Sequence, residues 1–241
     1  MSQLNQSQRS AILMARIAGF SYIMYTIAGL YITFGPIPAF SAFLGADGPV
    51  VELELPFRTG LLAEALLYTF VGISAAAMYV VLRAVSPGVA IMGAFCRLIE
   101  AAMGATFIVF KYAAFAAITN RDLLTTFSDA ERSALMGLFG HLSGSALFFL
   151  LIPMAFGGVL FFSLFLRSRF IPRWLAAWGV MTYAIIGCVA ATVLLFPDFR
   201  NNVMLFFLPG ALFEWVVALW LLFKGINTQH WEDAVKANLP D

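Results

Sequence analysis

The chain has 241 residues, 62% of them hydrophobic and 11% charged, with a mean hydropathy of +0.91. Soluble domains carry about 25% charged residues, so a water-soluble fold of this length could not hide so much apolar surface. A formal net charge of +1 excludes the basic excess of a nucleic-acid binder.

A bilayer span needs roughly 20 apolar residues, and six segments qualify. Met1–Ser10 is polar, and the apolar stretch after it lacks a small-x-small cleavage site at signal-peptide length. It reads as an uncleaved first span, Ile12–Phe34, stopping at Gly35-Pro36. A proline-rich outer loop, Gly35–Arg58, follows, read as irregular. Span two is Gly60–Leu82, span three Gly88–Ala117 and span four Ala134–Leu166. Ser128-Asp-Ala-Glu131 reads as a capping box that starts a helix outside the membrane and runs into span four. Pro153 and Gly157-Gly158 are expected to kink that long span. Span five is Trp174–Phe196 and span six Val203–Phe223, ended by Lys224.

Charge sets the orientation. Arg9, Arg16, Arg83, Arg167, Arg169, Arg173, Lys224 and Lys236 fall on one side, against Arg58, Lys111, Arg121, Arg132 and Arg200 on the other. This eight-to-five bias predicts both termini in the cytoplasm. The expected fold is an all-α, polytopic transmembrane helix bundle of about six spans. Residues 1–225 form its one domain, and 226–241 form a short cytoplasmic tail with Trp231 as an interface anchor.

Charged residues inside hydrocarbon are costly, so they persist when paired, hydrated or useful. Arg97 and Glu100 lie mid-span, at the i,i+3 spacing that puts them on one helix face. Glu64 and Glu214 are embedded acids without a partner in their own helix. Glu100 and Glu214 are predicted near the midplane, with Arg97 about one turn further in, and the three join spans three and six. Glu64 and His141 are predicted to extend the cluster outward, while Arg16 and Lys111 snorkel to water. Three readings of one arginine with two acids stay open: a structural clamp that bridges spans three and six, a ligand or proton site, or a polar-lined cavity with no transport role.

Other chemistry lacks support. Cys96 and Cys188 lie in apolar spans and form no CxxC pattern, so neither a disulfide nor a zinc site is expected. His141 is a candidate proton shuttle or single haem ligand, but His230 lies in the tail, so a bis-His haem fails on count. Ser143 and Ser145 near His141 have no GxSxG frame. No catalytic residue, metal site or cofactor is assigned. Small residues such as Ala75-Ala76-Ala77, Gly93-Ala94 and Gly157-Gly158 suit close helix contact.

Four stretches in order carry a resemblance: Arg16-Ile-Ala-Gly19, Phe95-Cys-Arg-Leu-Ile-Glu-Ala101, Arg167-Ser-Arg-Phe-Ile-Pro-Arg173 and Phe213-Glu-Trp-Val-Val-Ala-Leu-Trp-Leu-Leu-Phe-Lys-Gly225. The chain resembles the bacterial multi-pass membrane family catalogued as domain of unknown function 4386. That resemblance implies fold and location, an inner-membrane bundle, and no activity. It also implies an Asp after the span-four histidine, where this chain has Leu142, which removes the acid from a His–acid dyad.

The expected function is to bind or move a small molecule or proton through the polar cluster. The alternatives are an accessory or scaffold subunit with the cluster as a clamp, and an intramembrane lipid- or quinone-modifying enzyme, the less favoured class. Expected partners are the lipid bilayer, a small-molecule or lipid ligand, and a membrane-protein partner or second copy; nucleic acid is not among them.

Overall fold

The computed structural model describes residues 6–35, 51–119, 125–199 and 204–238. Among these, every regular element is helical. The long helices are α1 (Gln6–Phe34), α2 (Val51–Leu82), α3 (Pro87–Thr119), α4 (Asp129–Ser168) and α5 (Arg173–Leu195). Helix α6 (Leu208–Leu219) is entered by a 3-10 turn, Met204–Phe207, and extended by a π-helical turn, Trp220–Lys224. A last helix, α7 (Thr228–Ala237), turns away from it by 87°.

Five helices are each long and apolar enough to cross a bilayer, and counting the bent α6–α7 pair as one span gives six. Hydrocarbon offers no partner to backbone amides, so a spanning chain closes its hydrogen bonds within helices. Large apolar side chains stay exposed around the bundle, including Leu62, Phe95, Val109, Phe156 and Leu212. In water such a surface would aggregate; against acyl chains it is at home. This is a multi-pass membrane protein.

Small residues let the helices touch. Ala11, Ala15, Ala18, Tyr22 and Tyr25 recur at helical spacing and form the buried face of α1. A Cβ on Gly19 would stand 2.6 Å from the Leu222 amide nitrogen and 2.7 Å from the Ala218 oxygen. Only a glycine permits that backbone-to-backbone approach of α1 and α6. Near the same end Ile12 lies against Gly225, so the chain returns to the end at which α1 begins.

Several elements run past the expected spans. Helix α2 begins at Val51, taking in the end of the expected outer loop, while residues 36–50 of that loop, Arg121, Asp122 and Arg200 lie outside the described residues. Pro56 sits early in α2, where its missing N–H costs only a carbonyl of the first turn its donor, and an Arg58–Glu54 ion pair at 2.7 Å spans the same turn. Helix α4 is one 40-residue helix. The Ser128–Glu131 capping box closes in both directions, with the Ser128 amide donating to Glu131 Oε2 at 2.7 Å. At 1.5 Å per residue α4 is about 60 Å long, roughly twice the hydrocarbon thickness. Its mostly exposed first turns therefore project beyond the membrane.

The tail is helical and docked. Helix α7 is capped by Asn227, whose side chain accepts from the His230 amide. The Trp231 indole is half-buried and donates to the Val81 carbonyl at 3.3 Å, so the expected interface anchor is turned onto the end of α2. Asn238 donates to the Ala84 carbonyl at 2.8 Å.

Candidate functional site

A cavity of about 300 Å3 opens among α1, α2, α3, α4 and α6. Arg97, Glu100, Glu214, Tyr25 and Tyr68 supply its polar wall; Leu67, Val71, Leu147 and Leu151 are among its aliphatic lining. Depth follows from the helix rise of about 1.5 Å per residue. Arg97 lies ~15 Å and Glu100 ~20 Å along α3 from Pro87, Glu214 ~15 Å from Lys224, and Tyr25 ~20 Å from Ile12. In a core about 30 Å thick, all four sit near the middle. The cavity follows α1 from Tyr25 to Thr33, roughly 12 Å along the axis.

Arg97 and Glu100 pair through Nη1 and Oε2 at 2.8 Å, both almost fully buried. The i,i+3 spacing on α3 places them together, as helical geometry requires. The contact is an ion pair without good hydrogen-bond alignment, since neither Nη1 nor Oε2 has a directional hydrogen-bond partner in the described residues.

The arginine is seated by small residues and an aromatic ring. A Cβ on Gly157 would come within 3.0 Å of Arg97 Cγ and of the Gly93 oxygen. A Cβ on Gly158 would fall 2.1 Å from the Tyr183 ring. The Gly157-Gly158 pair on α4 thus clears one groove for the arginine stem and one for Tyr183. The guanidinium lies 5.9 Å from the centre of the Tyr183 ring, within cation–π range.

Glu214 is half-buried and reaches the same cavity from α6. Tyr25 Oη donates to Glu214 Oε1 at 3.5 Å, a long contact. No ion pair links Glu214 to Arg97 among the described residues, yet the two lie within electrostatic range. Tyr22 and Tyr183 hydroxyls meet at 3.3 Å beside them. One guanidinium therefore faces two carboxylates, and it is directly engaged with only one.

The remaining expected site residues stand elsewhere. Glu64 is buried on α2 and bonded to Lys111 of α3. Lys111 thus does not snorkel outward as expected; it is buried, with Nζ 4.4 Å from the Phe107 ring centre. Glu64 lies ~27 Å from the end of α2 and does not line the cavity. Tyr68, one turn away on α2, lines it and feels both Glu64 and Glu100. His141 is exposed on α4, ~40 Å from Ser168. Measured along the helix, that distance exceeds the ~30 Å hydrocarbon thickness. His141 does not line the cavity and is not part of the cluster.

Tyr22, Tyr25, Tyr68 and Tyr183 are the polar residues in or beside the cluster that the sequence reading leaves out. A tyrosine deep in a span still needs a partner for its hydroxyl, and Tyr22 and Tyr25 share a face at i,i+3; that signal was available. Among the described residues, no group of three or more His, Cys, Asp or Glu could hold a metal ion.

A family model described as a domain of unknown function (DUF4386) matches residues 17–225. No curated protein and no solved structure matches the chain.

Proposed function

The chain belongs to the DUF4386 family of multi-pass membrane proteins, and we propose that its midplane cavity binds or moves a small molecule or a proton. We also place the protein in a bacterial inner membrane with both termini cytoplasmic, on the charge bias of its ends. One observation carries the functional reading. One cavity at mid-depth holds one arginine and two carboxylates, and only Glu100 is directly matched by Arg97. A guanidinium fork can hold two acids at once, yet here Glu214 has no ion pair to Arg97 among the described residues. The second acid, half-buried in the cavity wall, leaves a place for one positive charge, carried by a proton or a small cationic molecule. The aliphatic remainder of the wall would hold the apolar part of such a molecule. At about 300 Å3, the space is at the lower end of small-molecule sites.

The test is proton flux in liposomes under an imposed potential, with native mass spectrometry of the same preparations for bound small molecules. Glu100→Gln and Glu214→Gln are expected to insert and fold, and to lose either the flux or the bound mass seen with wild type. If both variants misfold, the cluster is a clamp. If both fold and keep every wild-type property, the cavity is idle.

A further inference from the structure

A second cavity, about 500 Å3, lies at the end of the bundle where the chain starts and finishes. The α4–α5 connection with Arg173 forms one wall; Trp220, Lys224 and Gly225–Asn227 form the other. Three cations line it, Arg169, Arg173 and Lys224, and no carboxylate among the described residues does. All three are exposed, and none is held in an ion pair among the described residues. Phe170, Ile171 and Ile226 are buried beside them, and Trp220 is half-buried.

The frame of this cavity is fixed. The Asn227 amide donates to the Phe170 carbonyl at 2.8 Å, and His230 Nδ1 lies 3.1 Å from the Arg169 carbonyl. Arg169 closes α4 in the left-handed region, with φ 57°, which few non-glycine residues adopt. Helix α5 starts behind Pro172 without a side-chain cap, and its Leu175 and Ala176 amides donate to the Pro172 carbonyl, which leaves the Arg173 and Trp174 amides for an acceptor.

Orientation by charge asks only that cations be numerous on one side. It does not ask three of them to converge on one cavity with an aromatic and aliphatic lining. Arginine and lysine hold phosphate oxygens through charge-assisted hydrogen bonds, and basic pockets between spans at the membrane surface suit anionic headgroups. The apolar lining fits the ester end of the acyl chains, and Trp220 sits at the level of an interfacial aromatic belt.

We propose that this cavity binds the phosphate headgroup of an anionic glycerophospholipid in the leaflet at this end of the bundle. The site is separate from the midplane cluster and independent of what that cluster carries. The test is titration of the purified full chain with phosphatidylglycerol, followed by native mass spectrometry, against phosphatidylcholine and with inorganic phosphate as competitor. Wild type is expected to retain phosphatidylglycerol selectively. Arg173→Gln and Lys224→Gln should each weaken retention about fivefold, the effect of one cation near an anionic surface. Arg83→Gln, an exposed cation on the same side but outside the cavity, should leave it unchanged. Should Arg173→Gln fail to fold, Arg173→Lys keeps the charge, loses the fork, and should still bind more weakly than wild type. Equal losses with Arg83→Gln, or no preference over phosphatidylcholine, would overturn the proposal. Displacement of the lipid by inorganic phosphate would do so too, since it assigns the cavity to a soluble anion.

Discussion

Arg97 is the residue on which the cluster turns. Buried and directly paired with Glu100, it leaves an uncompensated carboxylate when removed, at a typical cost of about 3–5 kcal/mol. Arg97→Met keeps the stem that fills the Gly157 groove, so thermal unfolding in detergent isolates the charge. We expect a loss of that order for Arg97→Met and recovery of most of it in Arg97→Met/Glu100→Gln, since replacing both partners of a buried pair is often neutral. A double variant no better than the single one would show that the pair carries no coupling. These residues were legible in the sequence because a charge in a long apolar run stands out. Of the tyrosines around them, only Tyr22 and Tyr25 carry a sequence signal, their shared face at i,i+3; Tyr68 and Tyr183 do not, because a lone tyrosine is equally at home at a membrane surface. The Glu64–Lys111 bond was hidden for another reason: a contact between two helices depends on their rotation about their own axes, which hydropathy does not fix.

The helices owe their packing to residues that lack a side chain. Gly19 meets the backbone of α6, which can yield only by moving a helix. Gly19→Ala is expected to destabilise the protein by about 1–3 kcal/mol, as overpacking does. Gly137, in the exposed part of α4, has open space where a Cβ would stand, with nothing within 4 Å. There Gly137→Ala should stabilise by up to about 1 kcal/mol, through helix propensity. Paired thermal melts check both signs. Existence and order of the helices could be read from apolar length, and the start of α4 from its capping box. Their overshoot could not. Pro56 and the acidic turn around it resemble a loop in sequence, yet the α2 helix runs through them. The same long helix carries His141 on an exposed face outside the cavity lining, which an apolar window alone does not show.

The whole molecule returns to its starting end: Gly225 lies by Ile12, and α7 docks on the ends of α2 and the α4–α5 turn. Short tags fused to either terminus should therefore be digested from the same side of the membrane, the cytoplasmic one by the charge bias. Tags cleaved from opposite sides would mean five crossings. At this scale a clamp and a binding site differ in what the second acid does for stability. The most direct measurement is the thermal unfolding of Glu214→Gln beside wild type in the same detergent. Functional sites commonly hold groups that stability would not choose, so the account predicts that Glu214→Gln unfolds at or above the wild-type temperature. A loss comparable to that of Arg97→Met would contradict it and make Glu214 part of a structural clamp.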